Sequence, residues 1–172
     1  GLAIFGYGNS GSVSSLTNKV SSSGVVASDT TGVGTARQFP AAARFGSTGK
    51  AIFAFGSTNK ANLVSNTGVV SADVYGVGSS KEYLAGAGYG GDKAIMGFGV
   101  TSGLTNVTNL INNLGVVGAD VSGVGTARNV LAAASYGGDK AIFGYGAAGG
   151  KVSLTNLVSN SGVVASDVTG VG

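Results

Sequence analysis

GDKAIFGYG, residues 138–146, is nearly repeated by GDKAIMGFG at 91–99. KAIFAFG at 50–56 and LAIFGYG at 2–8 carry the same phrase. Four copies at a period of about 45 residues mark a repeat architecture, in which each copy is one supersecondary unit. The phrase itself alternates. Ala141, Phe143 and Tyr145 point to one side, and Ile142 and Gly144 to the other, the period-2 pattern of a strand.

The rest of the chain falls into register once Ala3, Ala51, Ala94 and Ala141 are made equivalent. An Asn follows in each unit (Asn18, Asn62, Asn109, Asn156), then a Gly (Gly24, Gly68, Gly115, Gly162), then an Asp (Asp29, Asp73, Asp120, Asp167). Eight residues after each of the first three Asp comes a base: Arg37, Lys81 and Arg128. The stretch between the glycine-ended phrase and the Asn is shorter in the second unit than in the others, which marks it as a loop tip.

Each unit reads as four short strands. In the last they are ARNVLAAASYGG, KAIFGYG, SLTNLVSNSG and GVVASDVTG, with Gly-Gly-Asp turning the first into the second. From inner to outer edge these are A, B, C and D, and the whole chain reads BCD, ABCD, ABCD, ABCD, fifteen strands in all. The expected fold is all-β and β-propeller-like, with about four four-stranded antiparallel blades, the first without its inner strand. A β-solenoid of the same period is the alternative. The chain is expected to be a single repeat domain over 1–172, with units at about 1–36, 37–80, 81–127 and 128–172. An inner strand is then expected either from a longer propeller or from another chain, because an unpaired LAIFGYG edge is costly.

Arg128–Ala134, Gly137–Gly138 and Ala141–Gly146 together resemble a kelch repeat, as do Arg37 and Phe39 through Gly56. The resemblance implies a propeller that works as a protein-interaction domain. Phrases of the TNLVSNSGVVASDVTGVG type also resemble glycine-rich repeats of bacteriophage tail-fibre and virion proteins. That likeness implies a structural, host-facing part.

Composition narrows the chemistry. The chain has 33 Gly, one Pro, no Cys and no His in 172 residues, with a net charge of +3. Without Cys there is neither a disulfide framework nor a thiolate metal site. Without His the commonest general base and metal ligand is absent. Lys and Arg are scattered rather than clustered, so no nucleic-acid partner is expected. No apolar run reaches the roughly 20 residues of a membrane helix, so no membrane insertion by a helix is expected. No signal peptide is read at residue 1.

Two sets of residues are candidates for function. Asp29, Asp73, Asp120 and Asp167 are read as structural, each facing the base eight residues on across a D-to-A hairpin, a pair worth about 0.2–1 kcal/mol. Arg37, Lys81 and Arg128 could instead form a ring that captures an acidic glycan. The loops Asn9–Thr17, Ser57–Ala61, Val100–Thr108 and Ala147–Thr155 are rich in Gly, Ser, Thr and Asn, residues that make turns and also bind sugars. Asn9, Ser10, Thr101 and Ser102 are the loop candidates for ligand binding. The ring residues Tyr7, Phe55, Phe98 and Tyr145 are read as packing between blades. Neither catalytic residues, metal ligands nor a cofactor are expected. The equivalent carboxylates should lie around a ring, not converge in one cleft. The expected function is a non-enzymatic structural and binding module of a virion or cell surface, a phage tail or fibre component that presents loops to a host glycan or protein. It is expected to be extracellular or in the virion. Other chains of the same assembly are the expected partners, with a surface glycan as ligand. The alternative is a kelch-like protein-protein interaction domain.

Overall fold

A computed structural model describes residues 2–171. The chain is all-β, with no helix among the described residues. Sheet 1 pairs β1 (Ala3–Asn9) with β2 (Val13–Val20). Sheet 2 runs β3 (Ala41–Phe45), β4 (Lys50–Ala54), β5 (Lys60–Val64) and β6 (Val74–Tyr75). Sheet 3 repeats this order with β7 (Ala85–Tyr89), β8 (Lys93–Gly97), β9 (Thr108–Ile111) and β10 (Val117–Val121). Sheet 4 holds β11 (Ala132–Tyr136), β12 (Lys140–Gly144) and β13 (Thr155–Val158). All pairings are antiparallel and follow chain order.

The sequence predicts fifteen strands, and thirteen are regular. The fourth segments of sheets 1 and 4 join only through isolated bridges: Thr17 to Thr30 and Val20 to Val26, then Thr155 to Val168 and Val158 to Val164. The equivalent segments of sheets 2 and 3 have the same Gly- and Val-rich composition and pair as β6 and β10.

The sheets pack face on face in chain order. Ala41, Ala43, Phe45 and Ile52 of sheet 2 are buried against Ala94, Met96 and Ile111 of sheet 3. Ala85, Ala87, Tyr89 and Ile95 on the other face of sheet 3 are buried against Ala141, Phe143 and Val158 of sheet 4. Small residues on the inner strand let neighbouring sheets approach, and the Ile-Phe phrase fills the gap. Phe143 meets Phe98 edge-on at 5.1 Å, and Phe53 meets Tyr7 at 5.2 Å. Removing a fully buried ring of this kind costs about 3–5 kcal/mol. The end faces are open. Phe5 is 65% exposed on sheet 1, whereas the equivalent Phe53 and Phe143 are buried, and Leu157 is 42% exposed on sheet 4, whereas the equivalent Leu63 and Leu110 are partly buried.

The predicted alternation fails at one point. Tyr7, Phe55, Phe98 and Tyr145 all have φ near +65°, the left-handed region that a bulky residue enters only at a cost. The backbone reverses phase there, and Tyr145 leaves the face shared by Ala141 and Phe143. The recurrence of this conformation at four equivalent positions has a structural use, which the polar core of each unit makes plain.

Candidate functional site

In sheets 3 and 4 the Asn, Asp and base of the repeat meet, but not in the expected pairs. Lys81 Nζ lies 3.1 Å from Asp120 Oδ1, and Arg128 NH1 lies 3.8 Å from Asp167 Oδ1. The base therefore pairs with the Asp that follows it, not with the Asp eight residues before it. The reason is topological. The segment between Asp73 and Lys81 is not a hairpin. It carries the chain out of sheet 2 and into sheet 3, so Lys81 opens the inner strand of a new sheet whose own outer segment holds Asp120.

The Asn sits between them. Lys81 Nζ donates to Asn109 Oδ1, and Asn109 Nδ2 donates to Asp120 Oδ1 at 2.9 Å. In sheet 4, Arg128 NH2 donates to Asn156 Oδ1 at 2.7 Å, and Asn156 Nδ2 donates to Asp167 Oδ1 at 2.9 Å. Two residues ahead of each base, a hydroxyl residue caps the same carboxylate. Ser79 Oγ donates to Asp120 Oδ2 at 2.6 Å, and Thr126 Oγ1 donates to Asp167 Oδ2 at 2.7 Å. Thr35 does the same to Asp73, at 2.6 Å. The signature of this latch is Gly-[Ser/Thr]-x-[Arg/Lys]. Its glycines, Gly34, Gly78 and Gly125, lie against the Asn and Asp. A Cβ on Gly78 would stand 2.7 Å from both Asn109 Nδ2 and Asp120 Oδ1.

Each base also clamps the preceding sheet. Arg37 lies 4.0 Å from the Tyr7 ring centroid, Lys81 4.7 Å from Phe55 and Arg128 4.2 Å from Phe98. The carbonyls of the three bases accept N–H bonds from Gly8, Gly56 and Gly99. The left-handed aromatic is therefore the seat of the next unit's cation, which is what the strained turn provides.

Burial pushes Asp120 up, but hydrogen bonds from Ser79, Asn109 and Lys81 outweigh it and hold it well below the usual carboxylate range. Asp73 behaves alike: burial raises it, and hydrogen bonds from Thr35, Asn62 and Lys60 lower it further than burial lifts it. Burial lowers Lys81 and Arg128, partly offset by Asp120 and Asp167 respectively. Sheet 2 has a looser latch. Lys60 takes Asp73 at 3.2 Å, and Arg37 Nε and Asn62 Oδ1 are buried without hydrogen-bond partners.

Arg37, Lys81 and Arg128 are thus 3%, 0% and 0% exposed. They do not form an open ring at a channel mouth: Lys81 and Arg128 are engaged in the latch, and Arg37 lies over Tyr7 and donates to the Thr35 and Phe53 carbonyls. Asp73, Asp120 and Asp167 are structural partners in it. Asp29 is exposed and meets Asn18 Nδ2 at 2.8 Å, with no base among its bonded partners.

The loop candidates lie at the surface. Asn9 Nδ2 donates to Gln38 Oε1 at 2.8 Å, while Ser10, Thr101 and Ser102 are exposed. The first loop is shorter than expected, because Val13–Thr17 belongs to β2. Three tips share one backbone turn. Ser10 N–H donates to Ser12 C=O, Thr101 to Gly103 and Ala148 to Gly150. A separate groove of about 230 Å³ is lined by Val13, Thr35, Gln38, Ser57 and Thr58. Among the described residues, no three acidic side chains converge on a metal-sized space. Composition hid the latch because its members are far apart in sequence. The Gly-[Ser/Thr]-x-[Arg/Lys] recurrence was the signal that could have found it.

No family model matches the chain, and no curated protein matches it either.

Proposed function

We propose that the chain is a non-enzymatic structural and binding module of a virion or cell surface, in which a propeller-like frame presents variable tips to a host glycan or protein. One observation carries this reading. The three tips Ser10–Ser12, Thr101–Gly103 and Ala148–Gly150 keep the same turn while differing in side chain. The polar residues that recur in sheets 3 and 4 are meanwhile engaged with one another in latches. A rigid frame with interchangeable exposed tips suits recognition.

The propeller-like arrangement is supported by the inner strands. Phe39 and Tyr83, each just ahead of its inner strand, stack at 4.0 Å, and Val130 N–H donates to Tyr83 C=O at 3.0 Å. Units thus meet at their inner edges in turn, as blades do. The carboxylates also favour a non-catalytic reading, since Asp73, Asp120 and Asp167 sit in separate sheets with their own partners. A phage tail or fibre component fits these features. The test is a glycan array probed with the intact chain and with a variant whose tips at 10–12 and 101–103 are replaced by Ala-Gly-Gly. Binding lost in the variant with an unchanged melting temperature supports the proposal. Binding retained by the variant contradicts it.

A further inference from the structure

Sheet 2 differs from the other three at one place. In sheets 1, 3 and 4 the glycine that ends the repeated phrase (Gly8, Gly99, Gly146) opens a hairpin tip, closed by pairing of Asn9 with Val13, Val100 with Leu104 and Ala147 with Lys151. In sheet 2 the chain from Gly56 to Asn62 spans six positions where the others span ten. Thr58 pairs instead with Lys81 at the opening of sheet 3. The groove of about 230 Å³ lies at this shortened loop. Its walls include Thr35, Arg37 and Gln38 from the opening of sheet 2, Ser57 and Thr58 from the loop, and Val13 from the sheet 1 hairpin. Sheet 2 has all four of its strands, so the groove is a feature of a complete unit.

The side chains here are held in place and still have hydrogen-bonding capacity. Asn9 Nδ2 donates to Gln38 Oε1 at 2.8 Å, which orients the amide, and Gln38 Nε2 has no acceptor among the described residues. Thr58 Oγ1 accepts from the Lys60 N–H at 3.2 Å, which leaves its O–H to donate. Ser57 Oγ donates to Glu82 Oε2 and keeps its own lone pairs. Ser57 has a φ of +61°, a region that costs a serine free energy and a glycine almost none. The hydroxyl that a glycine would lack is what ties Glu82 to the groove. Thr35 and Arg37 serve the frame: Thr35 Oγ1 donates to Asp73, and the Arg37 guanidinium donates to the Thr35 and Phe53 carbonyls.

Charge selects the class of ligand. Lys60 holds Asp73 at 3.2 Å and Lys81 holds Asp120 at 3.1 Å. That leaves Arg37 in the wall and Glu82 bonded to Ser57, one charge of each sign, so the surroundings favour neither an anion nor a cation. An aliphatic occupant would desolvate the amide, hydroxyls and carboxylate without replacing their hydrogen bonds. Adjacent hydroxyls on a ring meet every demand, because each both accepts and donates. The volume is below the roughly 300–1,000 Å³ of drug-sized sites, which suits a single ring. We propose that this groove is a binding site for one neutral sugar ring. Its hydroxyls accept from Gln38 Nε2 and Thr58 Oγ1 and donate to Ser57 Oγ and Glu82, and its C–H face lies on Val13, which is 47% exposed. The site is apart from the tips and stands or falls separately from what they recognise.

The probes are the methyl α-pyranosides of glucose, galactose and mannose, titrated into the intact chain and followed by backbone amide NMR shifts. Glucuronate and the peptide Gly-Ser-Gly-Ser serve as charged and peptidic competitors. Saturable one-to-one shifts at Gln38, Ser57 and Thr58 are expected from at least one neutral glycoside, with weaker binding of both competitors. Gln38→Ala and Thr58→Val should each weaken that glycoside about fivefold, as loss of one hydrogen bond does. Ser57→Gly should weaken it as well without lowering the melting temperature, because the strained φ is relieved while the hydroxyl is lost. The variant with tips 10–12 and 101–103 replaced should bind it as the natural chain does. No saturable shift from any of the three glycosides, tighter binding of glucuronate or the peptide, unchanged affinity in the groove variants, or loss of binding in the tip variant would overturn the proposal.

Discussion

Lys81 lies 3.1 Å from Asp120, 39 residues further along the chain, and reaches it from the opening of the same sheet. The contact closes one unit upon itself while the Lys81 ammonium rests on Phe55 of the unit before. A single buried cation thus serves both cohesion within a sheet and adhesion between sheets.

Loss of the carboxylate should therefore hurt more than loss of an ordinary surface charge. Asp167→Ala leaves Arg128 buried without its anion, and breaking a buried pair in this way costs about 3–5 kcal/mol. The expected result in urea denaturation is a large drop in midpoint. Arg128→Met in that background should recover part of it, because the stranded charge is then gone. Arg128→Lys should be mild, because Lys81 fills the same place in sheet 3.

Gly125 should tolerate no side chain. Its φ is +90°, and a Cβ would press on Asp167 and Asn156. Gly125→Ala is expected to cost roughly 1–3 kcal/mol from backbone conformation alone, with crowding of the latch in addition. Gly149→Ala, at the exposed tip with φ +79° and open space around its Cβ position, should cost only the conformational part. The difference in denaturation midpoint between the two variants reads out the latch.

Stability should fall in acid. Asp73, Asp120 and Asp167 have folded-state pKa values below the 3.8 of a free Asp. The unfolded chain then binds more protons at low pH, so their contribution is complete above about pH 4 and disappears as pH falls through the folded-state values. Denaturation midpoints measured from pH 6 to pH 2 should decline below about pH 4. The D120N/D167N double variant should decline less over the same range, starting from a lower plateau.

Tip residues should be nearly free of structural duty. Ser102→Ala and Ser10→Ala change exposed side chains, and surface changes of this kind usually stay within about 0.5 kcal/mol. Unchanged melting curves for both variants are expected. A loss of more than that would give the tips a role in folding.

Much of the frame was legible in the sequence because the repeat was explicit. Ala51, Ala94 and Ala141 marked equivalent strands, and the recurring Asn62, Asn109 and Asn156 take the same fully buried place in their sheets. The partners of the Asp residues were misassigned because hairpin logic is local. Asp73 and Lys81 are close in sequence, yet the chain between them changes sheets. The left-handed turn at Tyr145 was also invisible. A Tyr in an alternating phrase gives no sign of positive φ, and only the cation seated on its equivalents Tyr7, Phe55 and Phe98 explains it. The tips were legible from length variation.

The most direct test is a pair of double-mutant cycles in urea, one on Lys81 and Asp120 and one on Lys81 and Asp73. Contacting partners couple by about 0.5–3 kcal/mol, while residues without shared contacts add to within about 0.3–0.5 kcal/mol. The structure predicts strong coupling for Lys81 with Asp120 and additivity for Lys81 with Asp73. Coupling between Lys81 and Asp73, with additivity for Asp120, would contradict the latch and restore the hairpin pairing.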